Sequence, residues 1–142
     1  MNLNITTEYD GKMPDVTKPN PEILRTLGED GIRNMISQHY DMLVQSEIKN
    51  IFPEKNSKAL EFAKQKSADF LIQIMGGQNY YTQNRGNPML KKRHMPFPIN
   101  MEARIVWLKN YREVITQLQL SDSLKLSLWN YLDKFSLWMM NS

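Results

Sequence analysis

Two histidines and no cysteines set the limits of what this chain can do with a metal. Without cysteine there is no disulfide, no zinc-thiolate site and no thiol nucleophile, and neither His-x-x-x-His nor Glu-x-x-His occurs. His94 is the residue with the most chemical promise. It closes a short segment and faces the same way as Leu90, one helical turn earlier. A lone histidine is more often a surface or core residue than a ligand, and spacing alone leaves both readings open. If His94 does bind a metal, the ion comes inside a macrocycle that supplies its other ligands. Tyr40 and His39 are the second anomaly, because both fall on an otherwise apolar helical stripe. A buried phenol needs a partner, either a backbone carbonyl or a polar ligand in an apolar pocket. Ala63 and Ser67, one turn apart, would let a helix or a ligand approach their backbone closely, and Trp107 offers an indole donor beside a core face. No nucleotide loop, catalytic triad or carboxylate pair stands out.

The elements that must position these residues are all helical. Ile32, Met35, Ile36, His39, Tyr40 and Leu43 recur at helical spacing after Gly28, and Pro53 ends that run. A second helix is expected from Ser57, with Leu60, Ala63, Ser67, Phe70, Leu71 and Ile74 on one face and Gly76–Gly77 as its stop. Residues 78–86 read as a loop. Asn87 and Pro88 read as the cap and first residue of a short helix through Leu90 to His94, which Pro96 ends. A longer helix from Asn100 carries Ile105, Leu108, Tyr111 and Ile115, and a last one from about Ser121 carries Leu124, Leu128, Trp129, Leu132, Phe135 and Trp138. No segment alternates as a strand would, and there is no internal repeat. The expectation is an all-α domain over residues 22–142, preceded by a polar extension over residues 1–21.

Composition narrows the function classes. Hydrophobic residues make up 41% of the 142 and charged residues 23%, an ordinary globular balance. The net charge of +3 is small, and its densest cluster, Lys91–Lys92–Arg93, suits a solvated face or a local anionic ligand better than nucleic acid. No apolar run approaches the roughly 18 residues of a membrane span, and the proline-bearing start does not read as a signal peptide. The expected address is cytoplasmic, with no membrane or nucleic-acid partner.

The segment from Gly76 to Trp107, GGQNYYTQNRGNPMLKKRHMPFPINMEARIVW, is specific. It resembles the truncated haemoglobins of group II, with a Gly-Gly pair, a tyrosine-bearing loop, Gly-x-Pro, then Arg-His-x-Pro-Phe-x-Ile, and a tryptophan thirteen positions after the histidine. The likeness runs from about Gly28 to the C-terminus. It implies a shortened globin fold, four main helices packed two over two around haem b. It implies His94 as the proximal iron ligand, with Tyr40 and Trp107 as donors to the bound ligand. Ala63 and Ser67 take distal positions, and Phe52 packs over the haem at the corner before the distal helix. Phe70, Leu71, Tyr81, Leu90 and Phe97 fall on the haem wall, and Arg93 and Lys66 are placed to pair with the propionates.

Three residues depart from the group's pattern. Asn87 stands where histidine is common, Ser67 where leucine or glutamine is usual, and His39 where phenylalanine precedes the distal tyrosine. His39 would tune the pocket's polarity or reach the iron as a sixth ligand.

The implied function is binding of O2 and other diatomic ligands, NO and CO among them. The alternative is an NO dioxygenase or peroxidase-like enzyme, acting on NO or peroxide and needing an external reductase. The protein would be a monomer or homodimer.

Overall fold

The structure, a computed structural model, describes residues 1–51 and 57–142. Among the described residues six α-helices form the body: α1 (Glu22–Leu43), α2 (Ser57–Ile74), α3 (Tyr80–Arg85), α4 (Leu90–His94), α5 (Met101–Thr116) and α6 (Asp122–Met139). No strand occurs among the described residues. The long helices form two pairs, α1 with α2 and α5 with α6, and α1 lies against α5 to join them.

The apolar stripes explain that arrangement. Ile32, Met35 and Ile36 of α1 share a core cluster with Ala68, Leu71 and Ile72 of α2 and with Met75 just beyond it. Leu108, Tyr111, Val114 and Ile115 of α5 meet Leu128, Trp129 and Leu132 of α6. Each of these side chains is almost wholly withdrawn from water, and burying one aliphatic or aromatic side chain contributes about 1.5–3 kcal/mol. The helix starts follow side-chain capping. Asn100 Oδ1 accepts the Ala103 amide at 2.8 Å, and Ser121 Oγ accepts the Leu124 amide at 3.3 Å.

The structure departs from the sequence expectation in three places. The first helix begins at Glu22, not after Gly28. Gly28 sits inside it at φ 72°, ψ 171°, a conformation open essentially to glycine alone, so a short helix and a long one meet at a kink. Residues 78–86 are not simply a loop, because they contain α3. That helix is anchored by the buried Tyr81 and by Arg85, whose guanidinium reaches Asp69 of α2 at 3.1 Å. The short helix before His94 begins at Leu90 rather than at Asn87–Pro88, since Met89 turns the chain through a left-handed conformation at φ 41°.

Residues 1–21, expected as a polar extension, run as a strap across α5 and α6. Leu3 is buried in the core, its carbonyl accepts from Arg112 at 3.0 Å, and the Trp129 indole donates to the Asn4 carbonyl at 2.7 Å. Thr6 closes a buried ionic knot. Its amide and hydroxyl donate to the Asp133 carboxylate at 3.0 and 2.7 Å, while Arg104 donates both to that carboxylate and to the Thr6 carbonyl.

Candidate functional site

His94 ends α4 with its imidazole mostly withdrawn from solvent. Its Nδ1 lies 2.7 Å from the Leu90 carbonyl. A carbonyl can only accept, so the proton sits on Nδ1 and the lone pair on Nε2. Burial, with the nearby Lys66 charge adding to it, holds the imidazole pKa below its ordinary value against the pull of the Leu90 bond. The ring is therefore neutral at physiological pH, the state in which imidazole ligates a metal. The turn beyond it is tied to the C-terminal end. Asn141 Nδ2 donates to the His94 and Phe97 carbonyls at 3.1 and 2.8 Å, and the Ile99 amide donates to Asn141 Oδ1 at 2.9 Å. Lys91 donates to the Trp138 and Met140 carbonyls at 2.6 and 3.0 Å, which fastens α4 to the end of α6.

A cationic cluster reaches this histidine through Lys66, whose charge acts on it. Lys66 is half-buried, and burial together with the charges of Arg85 and Arg93 pulls its pKa down. The cluster has aromatic footing. Lys66 and Arg85 sit over Phe62 at 5.2 and 5.0 Å, and Arg85 and Arg93 over Tyr81 at 5.7 and 5.5 Å. Arg93 also donates to the Arg85 and Asn87 carbonyls at 2.8 and 2.9 Å. Phe70 packs edge-on to Tyr81 at 5.6 Å and tilts against Phe135 at 6.2 Å. Phe97, beside His94, remains 45% exposed, and Leu90 is half-buried. The chemistry around His94 thus suits a flat apolar group that is anionic at one edge.

The second cluster lies where α1 faces α2 and α5. The Tyr40 hydroxyl and Ser67 Oγ are 2.7 Å apart, one donating and the other accepting. Burial raises the Tyr40 pKa, with the Ser67 bond opposing it, and the phenol stays protonated and able to donate at neutral pH. Ala63, one turn before Ser67, is partly buried on the same face of α2. The Trp107 indole lies beside Tyr111 at 4.8 Å. Lys66, adjacent to Ser67 in α2, acts on His94, so α2 carries residues of both clusters.

Other residues singled out in the sequence have defined surroundings. His39 does not present its Nε2 to a metal: that nitrogen is engaged with the Trp107 carbonyl at 3.0 Å. Leu71 is packed into the interhelical core with Ile72 and Met75. Phe52 lies outside the described residues. Arg85 and Phe62 were not legible as site residues. The signal for Arg85 was its i,i+4 spacing to Tyr81, hidden in a stretch that reads as loop. A separate groove of about 740 Å³ runs between α1 and α2, lined by Arg33, Ser37, Lys58, Glu61, Phe62, Lys64, Gln65 and Ala68. It holds neither His94, Tyr40 nor Trp107, and Lys64 in its wall is already bridged to Asp41 and Ser37 at 2.8 and 3.0 Å, so the site is drawn around His94 instead.

The bacterial-like globin family model matches residues 25–141. This chain belongs to the bacterial-like globins. Within curated relatives, this globin is 31% identical over 116 residues to the group 2 truncated hemoglobin YjbI of Bacillus subtilis (strain 168), covering 81% of this chain and 85% of that protein. Among solved structures, it superposes on the phosphate-bound Hell's gate globin IV with a TM-score of 0.87 at 28% identity, covering 98% of this chain and 87% of that one. The truncated oxygen-avid haemoglobin from Bacillus subtilis gives a TM-score of 0.76 at 28% identity, over 86% and 99% of the two chains. The paired long helices of this globin are accordingly the truncated globin fold, and the family assigns it to haem-binding proteins. No helix among the described residues is long and apolar enough to cross a membrane.

Proposed function

We propose that this globin binds O2 and other diatomic ligands, NO and CO included, at a haem b that His94 would hold, with Tyr40 and Trp107 as the donors to the ligand. The observation that carries the reading is the tautomer of His94: the Nδ1 proton is spent on the Leu90 carbonyl, which leaves Nε2 as a neutral, oriented ligand. Haem, when bound, supplies the iron to which the diatomic ligand attaches. The chain's own residues do the rest. Lys66, Arg85 and Arg93 offer charge-assisted hydrogen bonds to the propionates. Phe70, Tyr81 and Phe97 offer apolar surface to the macrocycle, and the apolar residues limit water entry. Tyr40, kept protonated by burial and steadied by Ser67, would be able to donate a hydrogen bond to a bound ligand. A fixed donor in a low-dielectric pocket needs little reorganisation to do so, and therefore slows ligand release.

The test is the visible absorption spectrum of the purified chain with added haemin, in ferric, dithionite-reduced and CO-bound states, beside His94→Ala. A strong Soret band that shifts on reduction and on CO binding, and is lost or altered in His94→Ala, supports the reading. A spectrum equal to that of free haemin refutes it.

A further inference from the structure

His39 is 1% exposed in the middle of the bundle, where an apolar ring would fill the same space. Its imidazole stacks on Tyr111 with centroids 3.4 Å apart and 25° between planes. It meets Trp107 edge-on at 5.4 Å and Tyr40 edge-on at 6.3 Å. All of these contacts are available to a phenylalanine. What a phenylalanine lacks is the bond from Nε2–H to the Trp107 carbonyl at 3.0 Å. The carbonyl fixes the proton on Nε2, and Nδ1 is then a buried acceptor with no partner among the described residues. An unsatisfied buried acceptor is a cost that an apolar ring would avoid, so packing does not account for the histidine.

The bond joins the two helices that carry the two distal donors, and it does so at their roots. On α1 its donor is the neighbour of Tyr40, and on α5 its acceptor is the main chain of Trp107 itself. We propose that His39 is a positioning residue: its Nε2–H bond to the Trp107 main chain locks α1 against α5 and so fixes the spacing between the Tyr40 hydroxyl and the Trp107 indole across a bound ligand. This rests on the reading of Tyr40 and Trp107 as ligand donors. A side chain that fills the cavity without making the bond lets the two donors drift apart, and the Trp107 indole, whose main chain the bond held, then loses alignment.

Three substitutions separate bonding from packing. His39→Phe keeps the stack and removes the bond. His39→Gln places an amide donor near the position of Nε2, while His39→Asn reaches only as far as Nδ1. Oxygen release is followed by stopped flow, and the C–O stretch of the CO-bound protein by infrared spectroscopy. Expected are release faster by roughly fivefold in His39→Phe and His39→Asn, as for a hydrogen bond misaligned rather than lost, a broadened or split C–O band in both, and recovery in His39→Gln. In a Trp107→Phe background, His39→Phe should add nothing to the release rate, which a general loss of stability would not produce. Should His39→Phe not fold, the Gln and Asn pair carries the comparison. Long-range 1H–15N spectra of the wild-type protein read the ring directly, and a proton on Nδ1 with Nε2 bare overturns the proposal without reference to haem. Unchanged release and an unchanged C–O band in all three variants, with Tyr40→Phe and Trp107→Phe altering release, overturns the proposal and leaves the ligand-binding reading standing. If Tyr40→Phe and Trp107→Phe themselves leave release unchanged, the donor reading fails and the positioning role falls with it.

Discussion

Asp133→Ala should be among the most destabilising single substitutions in the body of this protein, for a reason visible at Arg104. The Arg104 guanidinium is 1% exposed. Burial pulls its pKa down, and the Asp133 charge opposes that pull. Loss of the carboxylate leaves it with the Ser136 hydroxyl at 2.9 Å and the Thr6 and Asp133 carbonyls at 2.5 and 2.8 Å. Those are neutral acceptors and provide no counter-charge. Breaking a buried pair from one side costs about 3–5 kcal/mol, and Thr6 loses both of its bonds to the carboxylate at the same time. With an unfolding entropy of about 2.1 cal/mol/K per residue, the 142 residues give about 0.3 kcal/mol/K. The expected fall in Tm is therefore roughly 10–17 °C. Removing both charges together, as Arg104→Met with Asp133→Leu, should recover much of the loss, since buried pairs are often replaceable by apolar residues of similar volume. Urea denaturation and thermal melts of the two single variants and the double variant form the cycle. A loss below about 1 kcal/mol in Asp133→Ala, or a double variant as unstable as the sum of the singles, would refute the argument from an uncompensated buried charge.

Other outcomes follow from the same geometry. Ser67→Ala should raise the oxygen dissociation rate less than Tyr40→Phe does, because the serine steadies the phenol whereas the phenol itself donates; stopped-flow mixing ranks the two, and the reverse order counts against the assignment. Burial lowers the His39 pKa from 6.5 to about 3. The neutral ring is what the fold accommodates, so this contribution to stability is complete above pH 6.5 and is lost as pH falls toward 3. Between pH 6.5 and pH 4 the wild type should lose about 3 kcal/mol more than His39→Phe in parallel urea titrations, and equal slopes would show that the ring is not buried neutral. A Cβ added at Gly77 would come within 2.6 Å of Ile72 Cγ2 and 2.8 Å of the Ile72 carbonyl oxygen, so Gly77→Ala should lower the melting temperature by several degrees, about 1–3 kcal/mol. Asn141→Ala frees the His94 and Phe97 carbonyls and should speed haem transfer to apomyoglobin while leaving the far-ultraviolet circular dichroism unchanged.

The helices with strong stripes and capping residues were legible in the sequence, and the weakly patterned pieces were not. Asn100 and Ser121 cap where their side chains announced it, and Pro96 ends α4 at His94, because these are local effects. The α3 helix was hidden because its residues are polar and its stability comes from Tyr81 burial and the Asp69 carboxylate, contacts that no local pattern contains. Met89 is unreadable for a similar reason, since a left-handed methionine has no sequence signature. His94 and Tyr40 stood out as polar residues in apolar company, but the partners that give them chemical meaning, the Leu90 carbonyl and the Ser67 hydroxyl, are set by helix geometry and by packing. The resemblance supplied the haem, which spacing alone did not.

The strap has a consequence for how the protein is made. Thr6 and Asp133 are 127 positions apart, Asn4 and Trp129 are 125 apart, and Leu3 and Arg112 are 109 apart. Contacts of such separation slow folding, because a long loop must close before they reward it. At translation rates of about 5–20 residues per second, roughly 6–25 s pass between synthesis of Thr6 and synthesis of its carboxylate partner. Helices α1 and α2 can pair in that interval, while Leu3 stays exposed and the Arg104 charge has no counterpart until α6 emerges. A nascent chain stalled before Asp133 should therefore offer chaperones and proteases a loose strap, because α6 is the helix that gives Asn4 and Thr6 their place.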